Sequence, residues 1–72
     1  MKANKTQVIL IMLDFLLCKG EFTKEVILGK APISDLRFKR YVQELRAYLY
    51  NFRNQEDIIY DRASKKYRLS PL

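Results

Sequence analysis

Residues 33–45 read ISDLRFKRYVQEL. Ser34 stands where a helix wants a side-chain oxygen to accept from the backbone N–H groups of its first turn. Beyond it, Phe38, Val42, Leu45, Leu49 and Phe52 recur at steps of three and four, which predicts one buried stripe on a helix over about 34–51. Tyr41 and Tyr48 flank that stripe. At about 100° per residue, Leu36, Lys39, Arg40 and Gln43 fall on the opposite side, and Ser34 and Asp35 lie at the N-terminal tip. Arg37, Lys39 and Arg40 are three cations among four residues. Such a face either grips an anion or is a solvated helix surface with local partners, for example Arg40 with Glu44 at i, i+4.

Immediately upstream, Thr23 can cap a shorter helix over about 24–30, KEVILGK, with Val26, Ile27 and Leu28 towards the core. Gly29 weakens this helix and Pro32 ends it. Two helices joined by a tight turn, the second capped by Ser34, form a helix-turn-helix in outline. Further back, Thr6 is a plausible cap for a first helix over about 6–18, closed by Gly20 in a left-handed conformation. Its apolar residues, Val8 to Leu13 and Phe15 to Leu17, wrap nearly all the way round, so part of its surface has to pack on something besides a single core face. EFT at 21–23 reads as a short extended piece.

Downstream of the cationic helix the period changes from 3.6 to 2. DIIYD, the polar turn RASK and KYRLS predict a β-hairpin over about 57–69, with Tyr67 and Leu69 towards the core and Lys66 and Arg68 towards solvent. Three helices followed by a two-stranded basic hairpin make an α+β chain of the winged helix-turn-helix type, the hairpin being the wing.

Composition agrees with one small domain. The chain has 72 residues and a formal net charge of +6, from fourteen Lys and Arg against eight Asp and Glu. Residues 1–33 contribute +2 (five cations, three anions) and residues 34–72 contribute +4 (nine and five), so basic character grows towards the C-terminal half. An excess of this sign favours nucleic acid or an anionic membrane surface as a partner. With no His and a lone Cys18 in an apolar run, neither a metal cluster nor a Cys/His nucleophile can be assembled, so no catalytic site, cofactor or metal is expected. The single cysteine also makes a reduced cytoplasm the simplest assumption. MKANKTQVILIMLDFLLCKG has the basic start and apolar run of an export signal, but Asp14 interrupts it and Leu16 and Leu17 stand where a cleavage site wants small residues.

ISDLRFKRYVQELR resembles the second helix of the helix-turn-helix in DeoR-type and WYL-type bacterial transcription regulators, with Ile33, Ser34, Phe38, Arg40, Val42 and Leu45 falling into that pattern without a gap. TKEVILGKAPIS keeps the family's distance between the two caps, and IIYDRASKKYRL is similar to the wing of WYL-type proteins. The resemblance covers about residues 7–70 and departs at Ala31, Pro32, Arg37 and Tyr41. It implies a regulator, or its N-terminal part, that binds double-stranded DNA as a homodimer.

On that basis the expected DNA-binding residues are Ser34, Asp35, Leu36, Arg37, Lys39, Arg40 and Gln43 on the helix, with Arg62, Lys65 and Lys66 on the wing. Ser34, Arg37, Lys39 and the wing lysines would hold phosphates. Arg40 suits guanine, Gln43 adenine and Asp35 the amino group of cytosine, while Leu36 can touch a thymine methyl. The alternative expectation is a winged helix used only for protein contacts, with the apolar first helix and YVQELRAYLYNF as adhesive surfaces. Membrane-surface binding is a weaker third expectation, because the basic helix lacks an exposed, strongly apolar opposite face.

Overall fold

The structure, a computed structural model, describes residues 4–53 and 56–70. It is an α+β chain of three helices and three antiparallel strands. In order these are α1 (Lys5–Lys19), β1 (Glu21–Thr23), α2 (Lys24–Lys30), α3 (Asp35–Phe52), β2 (Asp57–Asp61) and β3 (Lys66–Ser70).

Each helix begins on a side-chain cap. Thr23 Oγ1 accepts from Val26 N–H (3.2 Å) and Ser34 Oγ accepts from Arg37 N–H (3.2 Å). In α1 the cap is Asn4 rather than the expected Thr6. Asn4 Oδ1 accepts from Gln7 N–H (2.9 Å) and Gln7 Oε1 accepts in return from Asn4 N–H (3.1 Å), a reciprocal pair that Thr6 has no such partner to match. Gly20 closes α1 at φ 79°, and its carbonyl accepts from Leu69 N–H (3.2 Å), joining the helix end to the sheet.

The expected hairpin is present, with Tyr60 opposite Tyr67 and Ile58 opposite Leu69. It is not two-stranded, however. β1 adds to the free edge of β3, Phe22 opposite Tyr67, giving the order β1-β3-β2. Phe22 explains why EFT becomes a strand: its side chain is buried, and pairing with β3 satisfies backbone that this burial takes out of water.

Val8, Met12 and Leu16 of α1, one turn apart, form the core with Ile27 of α2, the stripe Phe38, Val42, Leu45 and Leu49 of α3, and Ile58 of β2. Phe22, Phe38 and Tyr67 join helices to sheet: Phe22 stacks on Tyr67 at 5.2 Å between centroids, and Phe38 meets the same ring edge-on at 5.5 Å. Two expectations fail at the margins of this core. Of the apolar residues of α2 only Ile27 is buried, Val26 being 40% exposed and Leu28 half-buried, because a helix this short turns a single position into the core. The stripe of α3 stops at Leu49; Phe52, one turn on, is 76% exposed and stacks on Tyr48 at 5.6 Å. Among the described residues no helix is long and apolar enough to cross a membrane.

Candidate nucleic-acid interface

The first two turns of α3 present their polar side chains outward. Leu36, Arg37, Lys39, Arg40 and Gln43 are all exposed. Among the described residues, no carboxylate lies within ion-pair distance of Arg37, Lys39 or Arg40. The local partner available to Arg40 is taken elsewhere: Glu44 pairs with Lys5 of α1 at 2.6 Å. The three cations therefore meet solvent without an ion pair on the N-terminal half of one helix, Lys39 acting on the Asp35 carboxylate only through space, and the unpaired N–H groups of the helix add a partial positive charge of their own.

Asp35 and Ser34 are already engaged. The Ser34 hydroxyl oxygen caps α3, leaving its proton free to donate. Asp35 is 2.5 Å from Lys24 at the start of α2, an ion pair across the turn between the two helices. The hydrogen bond from Lys24 holds the Asp35 carboxyl below its ordinary value and raises the Lys24 ammonium.

The hairpin cations divide into two groups. Arg62 and Lys65 are exposed on the turn between β2 and β3, and among the described residues neither has an ion-pair partner. Asp61 shapes that turn: its Oδ1 accepts from Ala63 N–H (3.0 Å), and hydrogen bonding led by the Ser64 hydroxyl keeps its carboxyl below the usual range. Lys65 adopts φ 58°, the left-handed region. Lys66, by contrast, lies 2.7 Å from Glu21 of β1, whose carboxyl this bond lowers, and Arg68 sits 3.7 Å from the same carboxylate. The third strand thus supplies an anion that offsets two cations of the hairpin.

A contact that the sequence does not advertise fixes the hairpin to the helix. Arg46 of α3 holds Asp57 of β2 through both carboxylate oxygens, Nε to Oδ1 at 2.8 Å and Nη2 to Oδ2 at 3.2 Å. Between α3 and the hairpin runs a cleft of about 540 Å³, with Lys39, Gln43 and Arg46 on the helix wall, Tyr60 and Tyr67 on the sheet wall and Lys24 at one end. The spacing of Arg46 on the flank of the stripe is the one sequence sign of this role; Lys24 gives none, since its partner is set by how α2 meets α3.

Compared with models of known families, with curated proteins and with solved structures, the chain matches none of them.

Proposed function

We propose that the chain is a winged helix-turn-helix domain that binds double-stranded DNA, with α3 as the recognition helix and the β2–β3 hairpin as the wing, and that it serves as a transcription regulator or its DNA-binding part in the cytoplasm. The observation that carries this is the cluster of Arg37, Lys39 and Arg40, exposed on the first turns of α3 and without an ion pair among the described residues. A solvated helix face ordinarily sets anions beside its cations; here Glu44 is drawn away by Lys5 and Asp35 by Lys24.

In this mechanism the tip of α3 enters the major groove. Ser34, Arg37 and Lys39 hold phosphates and set the register, with the unpaired Arg62 and Lys65 doing so from the wing and the Glu21-paired Lys66 contributing less. Arg40 and Gln43 reach base edges, Arg40 able to meet guanine through two hydrogen bonds. Asp35 accepts from cytosine only when it loosens from Lys24, and Leu36 packs on a thymine methyl.

Fluorescence anisotropy on random-sequence duplex DNA across a salt series tests this first. Affinity should fall log-linearly with salt, and Lys65→Ala should make the slope shallower by about 0.9. Against a selected cognate site, Arg40→Ala should cost about 1–3 kcal/mol of preference over random DNA. No binding at low salt would end the DNA reading and leave protein contacts as the function, which the exposed Leu10, Leu17 and Phe52 favour.

A further inference from the structure

Along the cleft between α3 and the hairpin stand polar groups that the fold itself does not use. Lys39 and Gln43 on the helix wall and Tyr60 and Tyr67 on the sheet wall make no side-chain hydrogen bond or ion pair among the described residues. The two tyrosine rings lie side by side, 4.7 Å between centroids. Tyr67 is half-buried, and burial pushes its hydroxyl above the ordinary tyrosine value, so it stays protonated and able to donate. Between the walls, the buried Phe38, Val42 and Ile58 form an apolar floor. An apolar floor, aromatic wall and a few free polar groups, in a cleft of about 540 Å³, are the make-up of a small-molecule site.

We propose that this cleft binds a small aromatic monocarboxylate, its ring against Tyr60 and the apolar floor and its carboxylate on Lys39. Three features select that chemistry. The first is charge. Of the cations along the cleft, Lys24 is paired with Asp35 and Arg46 with Asp57, which leaves Lys39 as the surplus. One surplus cation matches one negative charge, whereas a phosphate monoester brings nearly two. The second is shape: tyrosine faces take a flat ring in an offset stack, and the free Gln43 amide and tyrosine hydroxyls are donors for carboxylate oxygens. The third is rigidity. From Asp35 to Arg46 the cleft follows α3 for about 16 Å, and the ion pairs of these two residues tie the helix to α2 and β2, so the walls are set before a ligand arrives. The effect on DNA rests on the function proposed above: Lys39 and Gln43 belong to the α3 face assigned there to phosphate and base, so an occupied cleft opposes DNA binding.

Titration of the chain with 2-naphthoate, followed by backbone amide NMR shifts, tests the site. The shifts should saturate with a dissociation constant of about 1 mM or tighter, as expected of a ligand this small, and should centre on Lys39, Gln43, Tyr60 and Tyr67. 2-Naphthamide, which lacks the charge, and acetate, which lacks the ring, should each bind more weakly by on the order of tenfold or more. Lys39→Ala should weaken 2-naphthoate binding by on the order of tenfold, and Tyr60→Leu should weaken it severalfold. Lys30→Ala removes the same charge from α2 outside the cleft and should bind as the parent does. Unchanged far-UV circular dichroism shows that these exposed positions leave the fold intact. Shifts that do not saturate, acetate bound as tightly as 2-naphthoate, or Lys39→Ala and Lys30→Ala weakened alike would each overturn the proposal. Anisotropy on random-sequence duplex DNA, with 2-naphthoate set against acetate at equal concentration to match the salt, separates the two readings. 2-Naphthoate should lower the DNA affinity severalfold, and a DNA affinity that bound 2-naphthoate leaves unchanged overturns the competition. Binding of 2-naphthoate by a chain without DNA affinity sinks only the DNA reading; DNA affinity without 2-naphthoate binding sinks only the cleft.

Discussion

Arg46 and Asp57 carry the one two-pronged side-chain contact among the described residues, and Asp57 also accepts from Ile58 N–H at 2.7 Å. The Arg46 hydrogen bond, ahead of the Ile58 N–H, holds the Asp57 carboxyl below its ordinary value. A carboxyl lowered in the folded state contributes stability that is complete above its unfolded pKa of about 4 and is lost as pH falls through the folded value. With both side chains about a third or more open to solvent, the contribution is of the order of 1 kcal/mol or less. Asp57→Asn should therefore lower stability by up to about 1 kcal/mol at pH 7, and urea unfolding at falling pH should show the gap from the parent closing below about pH 4. Residue positions of this kind were poorly legible in the sequence. The apolar stripe placed Phe38 to Leu49 correctly because helical spacing is a local property. Phe52 obeyed the same spacing yet is exposed, and Lys66 gained its anion from a strand more than forty residues away.

Local chemistry marks the elements clearly where a cap lies beside its helix. Thr23 and Ser34 both cap as their positions imply, and Gly20 ends α1 at a positive φ as expected. Ser34→Ala should cost about 1 kcal/mol, while Ser34→Asp, which keeps an acceptor, should cost less. Gly20→Ala should cost about 1 kcal/mol for a different reason: no atom lies within 4 Å of an added Cβ, so the loss comes from backbone conformation alone. Denaturant midpoints of the three variants at constant slope would check both. The strand β1 was legible only as an extended piece, because three residues carry no period and the choice between loop and strand is made by β3. For the same reason the hairpin looked two-stranded: pairing across long separations leaves no local sign at either end.

Taken as a whole, the molecule has one core that includes both layers, since Phe22 of β1, Phe38 of α3 and Tyr67 of β3 touch one another. Helices and sheet should therefore unfold together. Far-UV circular dichroism, which follows the helices, and near-UV tyrosine signals, to which Tyr67 and Tyr60 contribute, should give coincident thermal transitions. A hairpin that melts first would mean that the Arg46–Asp57 contact and the aromatic cluster fail to join it to the helices. The charge balance was visible in the sequence at this scale, but its distribution was not: the cations of the hairpin sides are offset by Glu21 and Asp61, and those of the α3 tip and the hairpin turn are left open.

The left-handed backbone at Lys65 sets two demands on one position against each other. Glycine adopts φ 58° without the steric cost a lysine bears, so the most robust hairpin and the most cationic hairpin tip call for different residues there. A chain selected for durability alone would drift towards glycine at position 65; retaining lysine means accepting backbone strain in exchange for an exposed charge on the hairpin turn.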